Sequence, residues 1–111
     1  MKLYTSTSPD PFSSLCLITA KLAKQEVAQE ALDIQKIRGD EFKEICPVQR
    51  VPYLKLADGK GLFESAAIAR YLARLSPDSG LLGSTMLESA QVDQWLTLSS
   101  QAYASIRECN E

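Results

Sequence analysis

Two neighbouring motifs in the middle of the chain decide the fold. The first is Cys46-Pro47-Val48-Gln49-Arg50-Val51-Pro52-Tyr53-Leu54, and the second is Phe63-Glu64-Ser65-Ala66-Ala67-Ile68-Ala69-Arg70-Tyr71-Leu72. Apolar and polar residues alternate over 51–56, and Asp58-Gly59 predicts a tight turn into a second strand over 61–63. Apolar residues then recur at helical spacing at Ile68, Tyr71, Leu72 and Leu75. The motifs therefore predict an antiparallel hairpin and a helix that ends at Ser76-Pro77.

The sequence before these motifs predicts a strand, a helix, a second strand and a short helix. Residues 2–5 lean apolar and stop at the breaker cluster Ser8-Pro9-Asp10-Pro11. Over 13–25, Leu15, Ile18 and Leu22 recur at helical spacing and are predicted to form the buried face, which Cys16 and Leu17 widen. Residues 31–34 predict a brief strand, and residues 40–45 predict a helix that ends before Pro47.

The sequence after the motifs predicts a linker and a long helix. Residues 76–84 are rich in Pro, Gly and Ser, and Thr85 with Glu88 forms a capping box. One helical face is predicted from Val92, Trp95, Leu96, Tyr103 and Ile106, with Trp95 as a core or interdomain anchor. We expect a first domain over 1–76, a linker over 77–84, and over 85–111 the start of a helical domain that continues in a longer protein.

Composition narrows the function classes. The chain has 111 residues, 45% of them hydrophobic and 23% charged, which is typical of one globular core. It contains no histidine, which excludes imidazole bases and histidine-ligated metals. The net charge is -2, and the 12 Lys and Arg residues form no basic run, so no nucleic-acid partner is expected.

No apolar segment is long enough to predict a membrane span. Cys16, Cys46 and Cys109 indicate reduced thiols and a cytoplasmic location.

The order of elements and both motifs resemble the N-terminal domain of the glutathione transferase superfamily, over roughly residues 1–75. The resemblance implies an α/β fold: a thioredoxin-like βαβ-α-ββα domain with a mixed four-stranded sheet. The first helix of an all-α C-terminal domain is expected to follow it.

The same resemblance implies a glutathione site. It implies that the Val51–Pro52 bond is cis and that the Val51 main chain pairs with the cysteinyl part of glutathione. Glu64 and Ser65 open a helix whose free N–H groups attract the γ-glutamyl carboxylate. Glutathione is then the ligand or substrate, with no other cofactor and no metal. The alternative is that Val51–Pro52 is only a fold-specifying turn and Ser65 only a helix cap.

Catalysis in this superfamily needs a group that stabilises the glutathione thiolate, and the resemblance aligns Pro9 with the catalytic serine. Ser13 stands where an arginine is usual, and Cys46 stands where an asparagine is common. Ser8 or Ser6 could replace the missing serine if the loop is shifted, and Ser8 is the candidate catalytic residue if the protein is an enzyme. Cys46 is interpreted as a buried space-filler, and Tyr4 as a core residue.

Three functions remain open. Residues 63–69 and 90–96 are similar to gamma subunits of translation elongation factor 1, which implies a non-catalytic interaction domain of the translation machinery. Its partners would be other subunits of a translation complex, with a homodimer as a further option. The second function is a glutathione, or related thiol, transferase that conjugates electrophiles. The third is a transferase-like domain of an aminoacyl-tRNA synthetase complex, because such domains share the Gln94-Trp95-Leu96 element.

Overall fold

The computed structural model describes residues 1–110, with side chains described through residue 106. The strands are β1 (Lys2–Ser6), β2 (Ala28–Leu32), β3 (Tyr53–Lys55) and β4 (Gly61–Phe63). The helices are α1 (Pro11–Leu22), α2 (Ile34–Ile37), α3 (Asp40–Ile45), α4 (Ser65–Arg74) and α5 (Met86–Asn110), with a 3-10 turn at Pro77–Ser79. The side chain of Cys109 and all of residue 111 lie outside the described part.

The strands form one mixed sheet in the order β2-β1-β3-β4. β1 is parallel to β2 through the α1 crossover, and it is antiparallel to β3. β3 and β4 form the predicted antiparallel hairpin, in which Tyr53 lies opposite Phe63. The expected α/β fold with a mixed four-stranded sheet is confirmed, and the helix that follows the domain is present as α5.

The sheet separates two apolar clusters, because successive side chains of a strand point to opposite faces. Leu3 and Leu54 face α1 and α4 and pack with Cys16, Ile68 and Leu72. On the other face, the cluster against α2 and α3 consists of Tyr4, Leu32, Ile37, Phe42, Cys46 and Tyr53. The Tyr4 and Phe42 rings lie 5.6 Å apart, so the prediction that Tyr4 is a core residue is confirmed.

The predicted buried face of α1 is confirmed at Cys16 and wrong at Ile18 and Leu22. Ile18 and Leu22 are 59% and 58% exposed, whereas Ser13, Cys16 and Ala20 are buried. The leucine and isoleucine residues of α1 lie on several sides of the helix. Apolar spacing alone therefore does not select one buried face. α1 packs directly on α4, and small side chains allow that approach: the Cys16 thiol lies 3.6 Å from the carbonyl oxygen of Ser65.

Several element boundaries also differ from the prediction. β2 covers Ala28–Leu32, three residues before the predicted start, and α2 was not predicted. The Asp33 carboxylate begins α2 by accepting a hydrogen bond from the backbone N–H of Lys36. β3 is shorter than the predicted strand over 51–56. In contrast, α3 and β4 have the predicted bounds, and Gly59 forms the hairpin turn with φ 89°.

α5 packs through only part of the predicted face. Val92, Leu96 and Tyr103 are half-buried as predicted, but Trp95 and Ile106 are 62% and 57% exposed. Both positions lie about 80–100° around the helix from Leu96, outside the contact with the first domain. Trp95 is therefore not a core residue within the described part of the chain.

An ion pair joins α5 to α4. Nε of Arg70 on α4 donates a hydrogen bond to Oδ1 of Asp93 at 2.6 Å, and the Arg70 side chain is only 24% exposed. The helical spacing of apolar residues in α4 places Arg70 on the outer face, where exposure to solvent is expected, but α5 covers this position. None of the helices among residues 1–110 is both long and apolar enough to span a bilayer.

The start of α5 is expected to loosen at acidic pH. Glu88 accepts hydrogen bonds from the backbone N–H and the hydroxyl of Ser84, and these bonds lower the pKa of Glu88. A carboxyl group with a lowered pKa stabilises the fold above its unfolded pKa, and this stabilisation is lost as pH falls through the folded pKa. We expect amide-exchange protection of Ser84 to fall as the pH drops below the ordinary glutamate pKa of about 4.3.

Glu88→Gln is expected to remove this pH dependence, as measured by amide exchange under NMR. Glu26→Gln is the control, because Glu26 is an exposed residue outside α5. A Glu88→Gln protein whose Ser84 protection still falls over the same pH interval would contradict the assignment.

Candidate functional site

One cleft brings together all of the residues predicted for the glutathione site. Its volume is about 1120 Å³. The predicted residues that line it are Ser6, Ser8, Val51, Pro52, Glu64 and Ser65. They come from the ends of β1, β3 and β4, which lie side by side in the sheet. The sheet topology therefore gathers positions that are up to 59 residues apart in the sequence, from 6 to 65.

The loop before β3 forms one wall. The Val51–Pro52 bond is cis, as the family resemblance implied, and Pro52 is buried. Gln49 has a positive φ of 50°, and its side-chain Nε2 donates hydrogen bonds to the carbonyl oxygens of Ile37 and Gly39 at 3.2 Å each. These bonds tie the loop to the segment between α2 and α3. The sequence analysis missed this role, because nothing local marks a side chain that reaches across 10 to 12 residues.

The N-terminus of α4 forms a second wall. Glu64 is the N-cap residue with φ 72°, and its side chain makes no capping hydrogen bond. The first helical bond runs from the N–H of Ile68 to the carbonyl oxygen of Glu64, so the N–H groups at 65–67 have no acceptor inside the helix. Ser65 is buried and also lines the cleft. The helix dipole makes this end suitable for a carboxylate.

The N-terminus of α1 is occupied by a carboxylate of the protein itself. Asp10 lines the cleft and is the N-cap of α1. Its Oδ1 accepts a hydrogen bond from the N–H of Phe12 at 3.0 Å, and its Oδ2 accepts one from the Ser13 hydroxyl at 2.8 Å. In the sequence, Asp10 stands out only as part of the breaker cluster at 8–11. The pattern of Asp before Pro at the first helical position would have identified it as a cap.

The two candidate catalytic serines lie in the cleft, and among the described residues neither forms a hydrogen bond with a basic side chain. Ser8 is exposed, and its backbone N–H donates a hydrogen bond to the Ser6 hydroxyl oxygen at 3.1 Å. The pair thus forms a local turn at the end of β1. This placement leaves the role of Ser8 in thiolate stabilisation a prediction.

Neither described cysteine has the properties of a nucleophile. Burial, together with the nearby charge of Asp10, raises the pKa of the Cys16 thiol to about 12. Cys46 is fully buried, and its sulfur lies 3.8 Å from the carbonyl oxygen of Arg50. Because a thiol reacts as the thiolate, Cys16 stays unreactive at neutral pH. The interpretation of Cys46 as a buried space-filler agrees with its position in the core.

An aromatic pair closes the outer side of the cleft. The ring of Phe12 on α1 and the ring of Tyr103 on α5 meet edge to face, with centroids 4.9 Å apart. Both residues line the cleft beside Asp10. Tyr103 was predicted only as part of a helix face, because its contact with α1 depends on how α5 packs.

A second cavity, of about 500 Å³, lies on the other side of α2 and α3. Acidic residues line its rim, but two of them already have partners. Glu30 pairs with Lys2 at 3.3 Å, and Asp33 caps α2.

A family model for the N-terminal domain of glutathione S-transferases matches residues 1–74. The chain belongs to this family. The match covers the whole four-stranded sheet and α1 to α4, so it includes every wall of the cleft except the one from α5.

This glutathione S-transferase N-terminal domain is similar both to translation factors and to enzymes. It is 47% identical over 66 residues to a probable elongation factor 1-gamma from Arabidopsis thaliana, covering 59% of this chain and 16% of that protein. It is 34% identical over 98 residues to glutathione S-transferase F10 from the same plant, covering 83% of this chain and 45% of that protein.

Solved transferase structures share the fold. A glutathione transferase homologue from Sulfitobacter with bound glutathione superposes with a TM-score of 0.73 at 27% identity, covering 81% of this chain and 43% of that chain. The present domain therefore spans less than half the length of each of these three proteins.

Proposed function

We propose that this chain is a non-catalytic, glutathione-transferase-like interaction domain of the translation machinery, of the elongation factor 1 gamma type. Its partners are other protein subunits of a translation complex in the cytoplasm. Its cleft binds glutathione-like peptides without activating a thiol. The observation that supports this proposal most directly is the Asp10 carboxylate at the N-terminus of α1.

Asp10 opposes the chemistry that a transferase needs. A transferase stabilises a thiolate beside the N-terminus of this helix, but here the helix already holds a negative charge. A half-buried carboxylate at this position repels a thiolate held beside the same helix end, because like charges disfavour each other's ionised form.

The exposed apolar residues of α5 are an argument for contacts with other proteins. Its exposed large apolar side chains are Met86, Leu87, Trp95, Leu98 and Ile106. Leu87, Trp95, Leu98 and Ile106 fall within an arc of about 100° on the side away from the first domain. A stripe of this kind on a helix is typical of a surface that packs against further protein.

A glutathione transferase remains the second candidate, and the open N-terminus of α4 favours it. The uncapped N–H groups at 65–67 suit the α-carboxylate of a γ-glutamyl peptide. The 34% identity to glutathione S-transferase F10 extends across 83% of the chain. In this function Ser8 would donate its hydroxyl hydrogen to the thiolate. A domain of an aminoacyl-tRNA synthetase complex is the third candidate.

Two measurements separate these functions. The tagged full-length natural protein is purified from its own cells, and the co-purifying proteins are identified by mass spectrometry. We expect elongation factor 1 subunits in fixed proportion, whereas synthetases would support the third candidate. In parallel, conjugation of glutathione to a chromogenic aryl halide is measured, and we expect no turnover above the uncatalysed rate. Turnover that Ser8→Ala removes would overturn the non-catalytic proposal.

A further inference from the structure

We propose that the outer edge of β2, together with the second cavity beside it, binds an extended basic segment of a partner protein as an added antiparallel strand. This surface is separate from the cleft, because none of the residues of β2 lines the cleft. The inference goes beyond the proposed function and does not depend on glutathione binding. It rests on the main-chain groups of the edge, the acidic cavity and the charge of the strand itself.

The outer main-chain groups of β2 have no hydrogen-bond partner among the described residues. The N–H of Ala28 donates a hydrogen bond to the carbonyl oxygen of Met1 at 3.1 Å, so Ala28 faces β1. In a parallel ladder alternate residues face the neighbouring strand, and here these are residues 28, 30 and 32. The N–H and carbonyl groups of Gln29 and Ala31 therefore point away from the sheet, and both residues are exposed. An extended segment can bond to all four groups.

β2 lacks most of the features that protect an edge strand from pairing. Protected edges are short, carry proline or lysine, or are interrupted by a bulge. β2 contains neither proline nor lysine, and its register with β1 continues over all 5 of its residues. At the opposite edge, β4 has only 3 residues. Of the two edges, β2 is therefore the better template for an added strand.

The second cavity indicates the chemistry of the partner. It lies directly beside the edge, because Ala31 and Leu32 are part of its lining. Tyr4 and Phe42 contribute aromatic rings. Among the described residues, its charged lining consists of one lysine and four acidic residues: Lys36, Glu30, Asp33, Asp40 and Glu41. Apolar walls with carboxylates at the rim suit the methylene stem and the charged end of a lysine or arginine side chain.

The position of Lys2 shows that this environment accepts an ammonium group. Its Nζ lies 3.3 Å from Oε1 of Glu30 and 5.1 Å from the centre of the Tyr4 ring. Asp40 and Glu41 take part in none of the ion pairs among the described residues, so their charges remain for a partner. In an added strand, the residue opposite Glu30 places its side chain on the same face as Glu30. A lysine or arginine there lies at the mouth of the cavity.

The charge of β2 disfavours a second copy of this chain as the occupant. If two copies of β2 paired antiparallel through Gln29 and Ala31, Glu30 of one copy would lie directly opposite Glu30 of the other. Like charges at directly opposite positions destabilise a strand pair. A basic residue at that position turns the repulsion into attraction, which selects a basic segment of another protein.

A synthetic peptide with capped ends tests the pairing. Its three lysines alternate with two valines, between terminal threonines, so that the middle lysine lies opposite Glu30 and the valines lie opposite Gln29 and Ala31. We expect saturating peptide to slow the amide exchange of Gln29 and Ala31 at least tenfold, as measured by NMR, because their N–H groups become hydrogen-bonded. The N–H of Glu30 already faces β1, so its exchange should change less than twofold.

A second peptide tests whether the main chain carries the binding. Methylation of the two valine nitrogens removes the donors that face β2 and leaves the charge and the side chains unchanged. We expect its affinity for the 111-residue chain, measured by calorimetry, to be at least tenfold lower than that of the parent peptide.

Glu41→Lys tests the contribution of the cavity. We expect this variant to bind the parent peptide at least fivefold more weakly than the natural chain. Glu44→Lys is the matched control, because Glu44 is exposed on the same helix and does not line the cavity. Both variants change the net charge equally, so the control should lower the affinity less than twofold.

The outcomes separate the possible occupants. If the methylated peptide binds as tightly as its parent, or if exchange of Gln29 and Ala31 is unchanged at saturation, strand addition is wrong. If Glu41→Lys and Glu44→Lys weaken binding equally, the cavity does not select the lysine and the proposal is wrong. A peptide-free protein that sediments as a dimer and protects the same two amides would make a second copy the occupant. The co-purification and conjugation experiments decide the proposed function independently.

Discussion

Leu54→Ala is expected to lower the free energy of unfolding by about 2–5 kcal/mol. Leu54 is on β3, an interior strand, and it is completely buried between the sheet and the helices α1 and α4. Its side chain packs with Leu3, Ile68 and Leu72. Removing it loses the transfer free energy of the side chain and leaves a cavity that the close-packed helices cannot fill.

The measurement is urea denaturation followed by circular dichroism. Ile18→Ala is the control, because Ile18 is 59% exposed on α1 and the change should stay within about 0.5 kcal/mol. This pair also tests the corrected face of α1. A loss at Ile18 as large as the loss at Leu54 would mean that the original prediction of a buried Ile18 was right.

Gly61→Ala is expected to destabilise the fold by about 1–3 kcal/mol, although alanine suits a strand better than glycine. A Cβ atom at position 61 would overlap the hydroxyl and the ring of Tyr53 on the neighbouring strand. Tyr53 cannot move away freely, because it is 7% exposed and its ring lies 6.4 Å from that of Phe42. The absence of a side chain at position 61 thus makes room for the Tyr53 ring, which belongs to the cluster against α2 and α3.

A double-mutant cycle identifies the cause. Gly61→Ala is made in the natural chain and in a Tyr53→Leu background, and the free energies of unfolding are compared. In the Tyr53→Leu background, the cost of Gly61→Ala should fall below about 0.5 kcal/mol. An equal cost in both backgrounds would show that Tyr53 is not the obstacle.

The elements predicted correctly depend on local sequence. Asp58-Gly59 fixes the hairpin turn, and the prolines at 47 and 77 limit the helices before them. Ile68 and Leu72 mark the buried face of α4, because polar residues on the other face contrast with them. In α1 and α5 apolar residues occur on several faces, and the contrast disappears. Which face is buried there depends on what the fold places next to the helix.

Part of the candidate site could be identified from the sequence, because those residues belong to local motifs. Val51, Pro52, Glu64 and Ser65 belong to contiguous motifs, so the family resemblance identified them. Asp10 was visible only as a turn residue, and its effect on the site arises because the sheet order sets the start of α1 beside β3. Tyr103 was recognised as one apolar position in a helix. Its contact with Phe12 exists only because α5 folds back across the cleft.

The amino-acid sequence by itself determined the family, the order of the elements apart from α2, and which residues form the candidate site at the cis-proline loop and the start of α4. These depend on turn chemistry and on spacing within about ten residues. Only the tertiary structure decided that the Asp10 cap and the aromatic pair of Phe12 and Tyr103 line the same cleft as those residues. Electrostatic and packing energies depend on distances in space, and the residues involved are as far apart in the chain as Asp10 and Tyr103.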